Sequence, residues 1–446
     1  MKFFKTFYFL FTSYTVLTLY TLFTFFTLSS CSFTKQISKQ ANTVLLKDTA
    51  IMQGHIGISI YEPATGKYWY NYNAEKYFVP ASNTKLFTLY AGMKYLGDSL
   101  VGLRYEIIKD TVVDIYPTGD PTFLHIDFTK QPVLNFLKKQ HTIIINRCYR
   151  SFNSLGRGWA WDDHQDDYMI PRVQFPMFEN LLNIKWINKD SILIYPKYFS
   201  KKIVEVTDLT DGFQLIKKFG ENNFTLLNGN TKRITTPFES DTDADINLLS
   251  DTLKNNNIFY SNGIHPHDNK KLKAIYSQPT DSLFKPMMHN SDNFFAEQTL
   301  LMASNEYLGY MSDIDMIDTL LKNDLKDAPQ KPKWVDGSGL SRYNLFTPKD
   351  FVYILDKIKN EFGLSRIENI LPTGGTGTLS AYYKKDSSFI YAKTGTLSNN
   401  CALSGYLITK KNKLLIFSVL VNNYQTPAAP VRRAVEKLLQ SIRENY

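Results

Sequence analysis

Ser82 and Lys85 lie three residues apart in the stretch PASNTKLFT, residues 80–88. On a helix, positions i and i+3 share a face, so the amine can take the hydroxyl's proton if it stays partly neutral. Burial and a nearby second cation both push a lysine toward that state. The apolar residues that follow, Leu86, Phe87, Leu89, Tyr90, Met93 and Leu96, predict a helix against the core. Its N-terminus adds positive potential where an oxyanion would form. The chemistry of such a pair is nucleophilic acyl transfer with lysine as the base, which calls for no histidine, metal or cofactor. The same Ser-x-x-Lys spacing occurs at Ser32/Lys35 and Ser282/Lys285, but only Ser82 stands at a strand-to-helix junction before a long apolar run.

Two further short motifs carry polar groups of the same kind. HNSDNFFAEQTL, residues 289–300, sets Ser291 and Asn293 ahead of another apolar run. By itself Ser-Asp-Asn is an ordinary helix-cap sequence. YAKTGTLSNN, residues 391–400, puts Lys393, Thr394, Gly395 and Thr396 at the end of a predicted strand. Ser-x-x-Lys, Ser-x-Asn and Lys-Thr-Gly thus follow one another on helix, helix and strand, an order far more specific than any one of them.

The elements that must position these groups can be read from both ends of the chain. HIGISIY (55–61) and KYWYNYN (67–73) alternate as two strands about the turn EPATG. FIYAKTGT (389–396), ALSGYLIT (402–409) and LLIFSVLV (414–421) predict three more. Val431, Val435, Leu438 and Ile442 repeat at a helical period. The reading is an α+β fold: one antiparallel sheet built from both termini and flanked by helices. Residues 103–270 carry short strand-like pieces such as TIIINR and SILIYP and are expected to be a largely β insertion. The catalytic domain is then discontinuous, residues 51–102 plus 271–446, after a polar tether over 31–50. At 446 residues the chain is long enough for such a division.

With the three motifs in this order, the sequence resembles the serine acyl-transferases of the penicillin-recognising fold. TGDPTF (118–123), GRGWAWDD (156–163), VDGSGLSRYN (335–344) and GGTGTL (374–379) are similar to the class C low-molecular-mass penicillin-binding proteins. That resemblance implies D-alanyl-D-alanine carboxypeptidase or endopeptidase activity on peptidoglycan stem peptides, with β-lactams as covalent inhibitors. It implies Ser82 as nucleophile, Lys85 as base, and Ser291 with Lys393 as the relay to the leaving amine. It implies Asn293 on the substrate amide, Lys393, Thr394, Gly395 and Thr396 around the terminal carboxylate, and the N–H groups of Ser82 and Thr396 as oxyanion hole. Arg342 and an acid of WDD, Asp162 or Asp163, would hold the zwitterionic tip of the stem-peptide diamino acid. Such proteins also carry insertions between the first two motifs, and 209 residues separate Ser82 from Ser291.

The first 30 residues describe an export signal: Lys2 and Lys5, then the apolar stretch 7–28, then Leu28-Ser29-Ser30-Cys31. The last four resemble a lipobox, which implies cleavage before Cys31 and a lipid on its thiol as membrane anchor. An uncleaved anchor is the other reading. Both put the body of the protein outside the cytoplasm, on the periplasmic side of the envelope. Cys148 and Cys401 either pair or stand as separate buried thiols.

Other features point elsewhere. Glu179, Leu182 and Asn183 in FENLLN match the deacylating motif of class A β-lactamases, but the motif precedes Ser291, the reverse of their order. HPHD (265–268) lacks a further spaced ligand cluster for a metal. The net charge of +9 comes without a dense Lys/Arg tract, so no nucleic acid is expected. The charge suits carboxylate-bearing peptidoglycan instead. A β-lactamase and a catalytically silent peptidoglycan-binding scaffold are the rival functions.

Overall fold

A computed structural model describes residues 35–147, 149–188, 191–206, 214–227, 233–255, 257–264 and 271–446. The export segment, Cys31, Cys148 and HPHD lie outside these residues. The described residues begin in helix α1, over residues 35–41, and continue through β1 (His55–Glu62), β2 (Lys67–Tyr72) and α2 (Lys85–Tyr95). A largely β region follows, with β3 (Ser99–Lys109), β4 (Val112–Pro117), α3 (Pro132–Leu137) and β5 (Thr142–Arg147). It continues with β6 (Leu181–Asn188), β7 (Ser191–Tyr195), β8 (Ile203–Val206), β9 (Gln214–Lys217), β10 (Phe224–Leu227) and β11 (Arg233–Pro237). Helix α4 (Thr242–Leu253), β12 (Ile258–Ile264) and β13 (Lys273–Pro279) complete it. Helices α5 (Thr280–His289), α6 (Asn293–Leu308), α7 (Asp313–Lys322), α8 (Pro348–Phe362) and α9 (Leu364–Ile370) come next. Strands β14 (Ile390–Leu397), β15 (Asn400–Ile408) and β16 (Leu414–Asn422) and helix α10 (Ala428–Asn445) end the chain.

Both termini build one antiparallel sheet in the order β14-β15-β16-β1-β2. Strands β15 and β16 are apolar along almost their whole length because helices cover both faces. Alternation along β16 divides its side chains between two cores. Ile416 and Leu420 join α2, α5, α6 and α8. Leu415, Phe417, Val419 and Val421 join α10. Each such side chain contributes about 1.5–3 kcal/mol by burial. Helix α2 is buried from Lys85 to Met93, so it is apolar nearly all round rather than along a stripe. Gly92 lets it cross closely: a Cβ there would stand 2.6 Å from the Phe284 ring.

Residues 99–279 carry three further sheets, β12-β5-β4-β3-β13, β11-β6-β7 and β8-β10-β9, around a core cluster of their own. The first and last strands of this region in the chain, β3 and β13, pair with each other, and β3 begins before the expected limit 103 while β13 lies after 270. Among the described residues no helix is long and apolar enough to cross a membrane.

The expected tether 31–50 does not hold where it is described. Residues 35–41 are helical, Asn42–Leu46 continue as a wider turn, and Ile37, Ala41 and Leu45 are fully buried against α10. Spaced four residues apart, the three form an apolar stripe inside a polar segment. Leu45→Ala is expected to lower the unfolding free energy by about 2–5 kcal/mol, read by denaturant titration. A solvated tether would give a change within about 0.5 kcal/mol.

Candidate active site

The nucleophile candidate sits in a tight turn. Ala81–Thr84 form one 3-10 turn that runs directly into α2, so Ser82 stands just before the helix and Lys85 is its first residue. Ala81 adopts φ +49°, the left-handed region that a Cβ disfavours. The turn is pinned by Asn83, whose Nδ2 donates to Ser404 Oγ on β15 at 2.7 Å. The same burial that makes α2 a core helix carries the Lys85 amine out of solvent.

Lys85 Nζ donates to Ser82 Oγ at 3.1 Å, to Asn293 Oδ1 at 2.5 Å and to the Ser338 carbonyl at 2.8 Å. All three partners are neutral. Burial lowers its pKa to about 8, although the charges of Asp292, Glu297 and Asp336 pull the other way. About a tenth of the amine is then neutral at pH 7. The second lysine repeats the arrangement: Lys393 Nζ donates to Ser291 Oγ and to the Thr394 carbonyl, both at 2.8 Å. Burial first, and the Lys85 charge second, hold Lys393 well below the usual lysine range.

Ser82, Ser291, Asn293, Asp163, Arg342 and Thr396 all line one cleft of about 520 Å³. Strand β14 forms its wall as an edge of the sheet, an edge an extended peptide can join by main-chain bonds. Gly395 is what lets that strand approach: a Cβ there would stand 2.6 Å from the Pro80 carbonyl and 3.1 Å from Ser82 N. Opposite, Asp163 is half-buried, and the exposed Arg342 donates to the Ser398 carbonyl at 3.2 Å. Of the two acids in WDD only Asp163 lines the cleft. Asn293 bridges the walls, accepting from Lys85 and donating through Nδ2 to the Tyr168 carbonyl at 2.8 Å.

Thr394 differs from the expectation. Period-two alternation turns it to the α10 side of β14, where it lines a small cavity with Cys401 and Arg432. Thr396, on the rim, reaches the cleft and accepts from Arg432 Nη2 at 2.6 Å. Glu179 of FENLLN does not line the cleft of Ser82; it pairs with His125 at 3.2 Å.

Several supporting groups had no role assigned in the sequence. Asp336 of VDGSGLSRYN accepts from Gly339 N, Ser341 N, Asn344 Nδ2 and Trp159 Nε1 at 2.7–2.9 Å, and so shapes the loop that presents the Ser338 carbonyl to Lys85. Glu297 accepts from Ser338 N at 2.7 Å and is fully buried, which raises its pKa to about 7 against the opposing charge of Arg172. A charged residue in the apolar run FFAEQTLLMA was the available signal. Gly339, at φ +85°, passes so close to Ala81 that a Cβ would overlap its carbonyl.

A sheet flanked by helices, with Ser-x-x-Lys, Ser-x-Asn and Lys-Thr-Gly meeting on one cleft, defines the serine acyl-transferases that penicillins acylate. The chain belongs to the D-Ala-D-Ala carboxypeptidase 3 (S13) family, whose model matches residues 38–442. The D-alanyl-D-alanine carboxypeptidase DacB of Haemophilus influenzae is 25% identical over 421 residues, 84% of this chain and 87% of that protein. The penicillin-sensitive carboxypeptidase A of Dictyostelium discoideum is 23% identical over 441 residues, covering 82% of each. In fold, the chain is similar to the crystal structure of penicillin binding protein 4 from H. influenzae, with a TM-score of 0.73, 19% identity and coverage of 92% and 99%. It is less similar, at a TM-score of 0.50, 14% identity and coverage of 88% and 92%, to a predatory peptidoglycan endopeptidase from Bdellovibrio bacteriovorus.

Gly395→Ala is expected to keep the fold but separate β14 from the Ser82 turn. Covalent labelling by a fluorescent penicillin should slow by at least about tenfold, with the far-ultraviolet circular dichroism unchanged. Labelling at the wild-type rate would show that the close approach does not matter.

Proposed function

We propose that this serine D-Ala-D-Ala carboxypeptidase hydrolyses the D-alanyl bonds of peptidoglycan stem peptides, terminal and cross-linked, through an acyl-enzyme on Ser82. The observation that carries the proposal is the 3.1 Å contact between Ser82 Oγ and a buried Lys85 amine whose partners are all neutral. Lys85 takes the hydroxyl proton as Oγ attacks the D-alanyl carbonyl. The N–H groups of Ser82 and Thr396 receive the oxyanion, a contribution of about 10²–10³ in rate per donor. Ser291, held by Lys393, passes a proton to the nitrogen as the C–N bond breaks. Water then attacks the ester and frees Ser82. Asn293 holds the substrate amide, Lys393 and Thr396 attract the terminal carboxylate, and Asp163 with Arg342 suits a zwitterionic side-chain tip.

The catalytic module, in this reading, is made of residues up to about 98 together with those from about 280, and residues 99–279 are the insertion. The protein is anchored by a lipid on Cys31 at the periplasmic side of the envelope. What supports this last part is the sequence of the first 31 residues.

Incubation with a labelled penicillin followed by intact-mass analysis should give a stable adduct that is lost in Ser82→Ala. Release of D-alanine should fall by at least about a thousandfold in the same variant. Rapid turnover of the drug would make the protein a β-lactamase, and no adduct at all would make it a scaffold. Acylation needs the neutral amine, so its rate is expected to climb with pH up to about 8 and then level off as Lys85 loses its proton. A flat profile from pH 6 to 9 would count against Lys85 as the base.

A further inference from the structure

A second cleft, of about 550 Å³, lies on the far side of the Ser-x-Asn segment. Ser291, Asn293 and Tyr168 line both clefts, but Ser82 lines only the first. Charged side chains of both signs border the second: Arg233, Asp167 and Glu179. Each is braced by a neighbour. Arg233 Nη2 donates to Asn183 Oδ1 at 2.6 Å, Asp167 Oδ2 accepts from Thr235 Oγ1 at 3.0 Å, and Glu179 pairs with His125. The motif FENLLN, unexplained in the sequence, therefore supplies Glu179 to this wall and Asn183 as the brace of Arg233.

The way Glu179 is presented points to use. Phe178, Glu179 and Asn180 are three consecutive non-glycine residues in the left-handed region, at φ +55°, +59° and +54°. L-residues avoid that region, and such runs persist where the surrounding structure enforces them. Phe178 and Asn180 are buried on either side, and Glu179 is the member that emerges into the cleft.

We propose that this second cleft holds the amine-donating strand of a peptide cross-link. The proposal rests on the acyl-transfer reading of Ser82. The acyl half of a cross-link becomes an ester on Ser82 and must occupy the cleft that Ser82 lines. The other half leaves from a nitrogen that takes its proton at Ser291, on the lip of the second cleft. When the amide C–N bond breaks, that strand departs as an amine and takes a further proton from water to become an ammonium. Arg233 pairs with a carboxylate further along that strand, and Asp167 and Glu179 accept from its peptide N–H groups. A single departing D-alanine has its one carboxylate at Lys393 and Thr396 and carries no further chain toward the second cleft, so a monomeric stem peptide does not use this site.

The test compares kcat/KM on a defined cross-linked muropeptide dimer with kcat/KM on the matching monomeric pentapeptide, using the full chain. Arg233→Ala and Asp167→Ala are each expected to lower the dimer-to-monomer ratio at least fivefold, mostly through KM on the dimer. Arg233→Lys should restore part of the ratio. An unchanged ratio in both variants would overturn the proposal, as would a wild-type enzyme that does not cleave the dimer. Failure of wild-type Ser82 to acylate with a penicillin would instead remove the reading on which the site depends.

Discussion

Two amines, those of Lys85 and Lys393, are buried in one site with no carboxylate in contact among the described residues. A buried ammonium is expensive, and proteins ordinarily pair it. Here its hydrogen bonds go to hydroxyls, an amide oxygen and backbone carbonyls. Dipoles orient the amine without favouring its charged form as strongly as a carboxylate would. The acids that could neutralise Lys85 stand one layer back, where other donors occupy them: Asp292 caps α6 at Phe295 N, Glu297 takes Ser338 N, and Asp336 is shared among four donors. Desolvation therefore wins for both lysines, and each can exchange a proton with its serine.

This balance survives only if water stays out and the partners stay close. Burial of α2 from its first residue removes solvent from Lys85. Gly395 and Gly339 let two backbones press on the Ser82 turn from opposite sides, where any side chain would collide with a carbonyl. Ala81 accepts a left-handed backbone between them, which costs of order 1–2 kcal/mol. Strain at one residue is offset by the apolar surface of the sheet and helices that hold the turn.

The parts of the fold governed by periodicity were readable in the sequence. The five strands of the main sheet and α10 announced themselves by alternation and helical spacing, because each has one consistent pattern of cover. Ser82, Lys85, Ser291 and Lys393 were readable as motifs, and the fold puts Ser82 and Ser291 on one cleft with the buried amines of Lys85 and Lys393 bonded to them. Helix α1 was hidden because three apolar residues, Ile37, Ala41 and Leu45, are diluted by polar ones. Thr394 was misplaced because motif spacing does not say which face of a strand meets the substrate. Asp336 and Glu297 were out of reach for another reason: they act on backbone groups of a loop, and loop geometry leaves no period in a sequence. FENLLN shows the converse: a motif can match in letters while its neighbours in space differ.

The region 99–279 is not an appendage to the chemistry. Most of its apolar side chains form a separate core, but Ile170 and Val173 belong to the core of α2 and α6. Between them Arg172 is buried, bonded to Asp313 and 3.6 Å from Glu297, with Trp159 stacked at 5.4 Å over its guanidinium. Trp159, Asp163 and Tyr168 from the same segment then line the catalytic cleft. One buried cation thus ties the recognition wall to the acid that holds the Ser338 loop. Charges on the wall can change with little effect on the lysines, because the tie runs through Arg172 and not through the exposed groups. Removing Arg172 would do the reverse, stranding Glu297 and Asp313 as unpaired buried charges behind Lys85. Recognition and proton transfer are therefore separable at the surface of this cleft and joined beneath it.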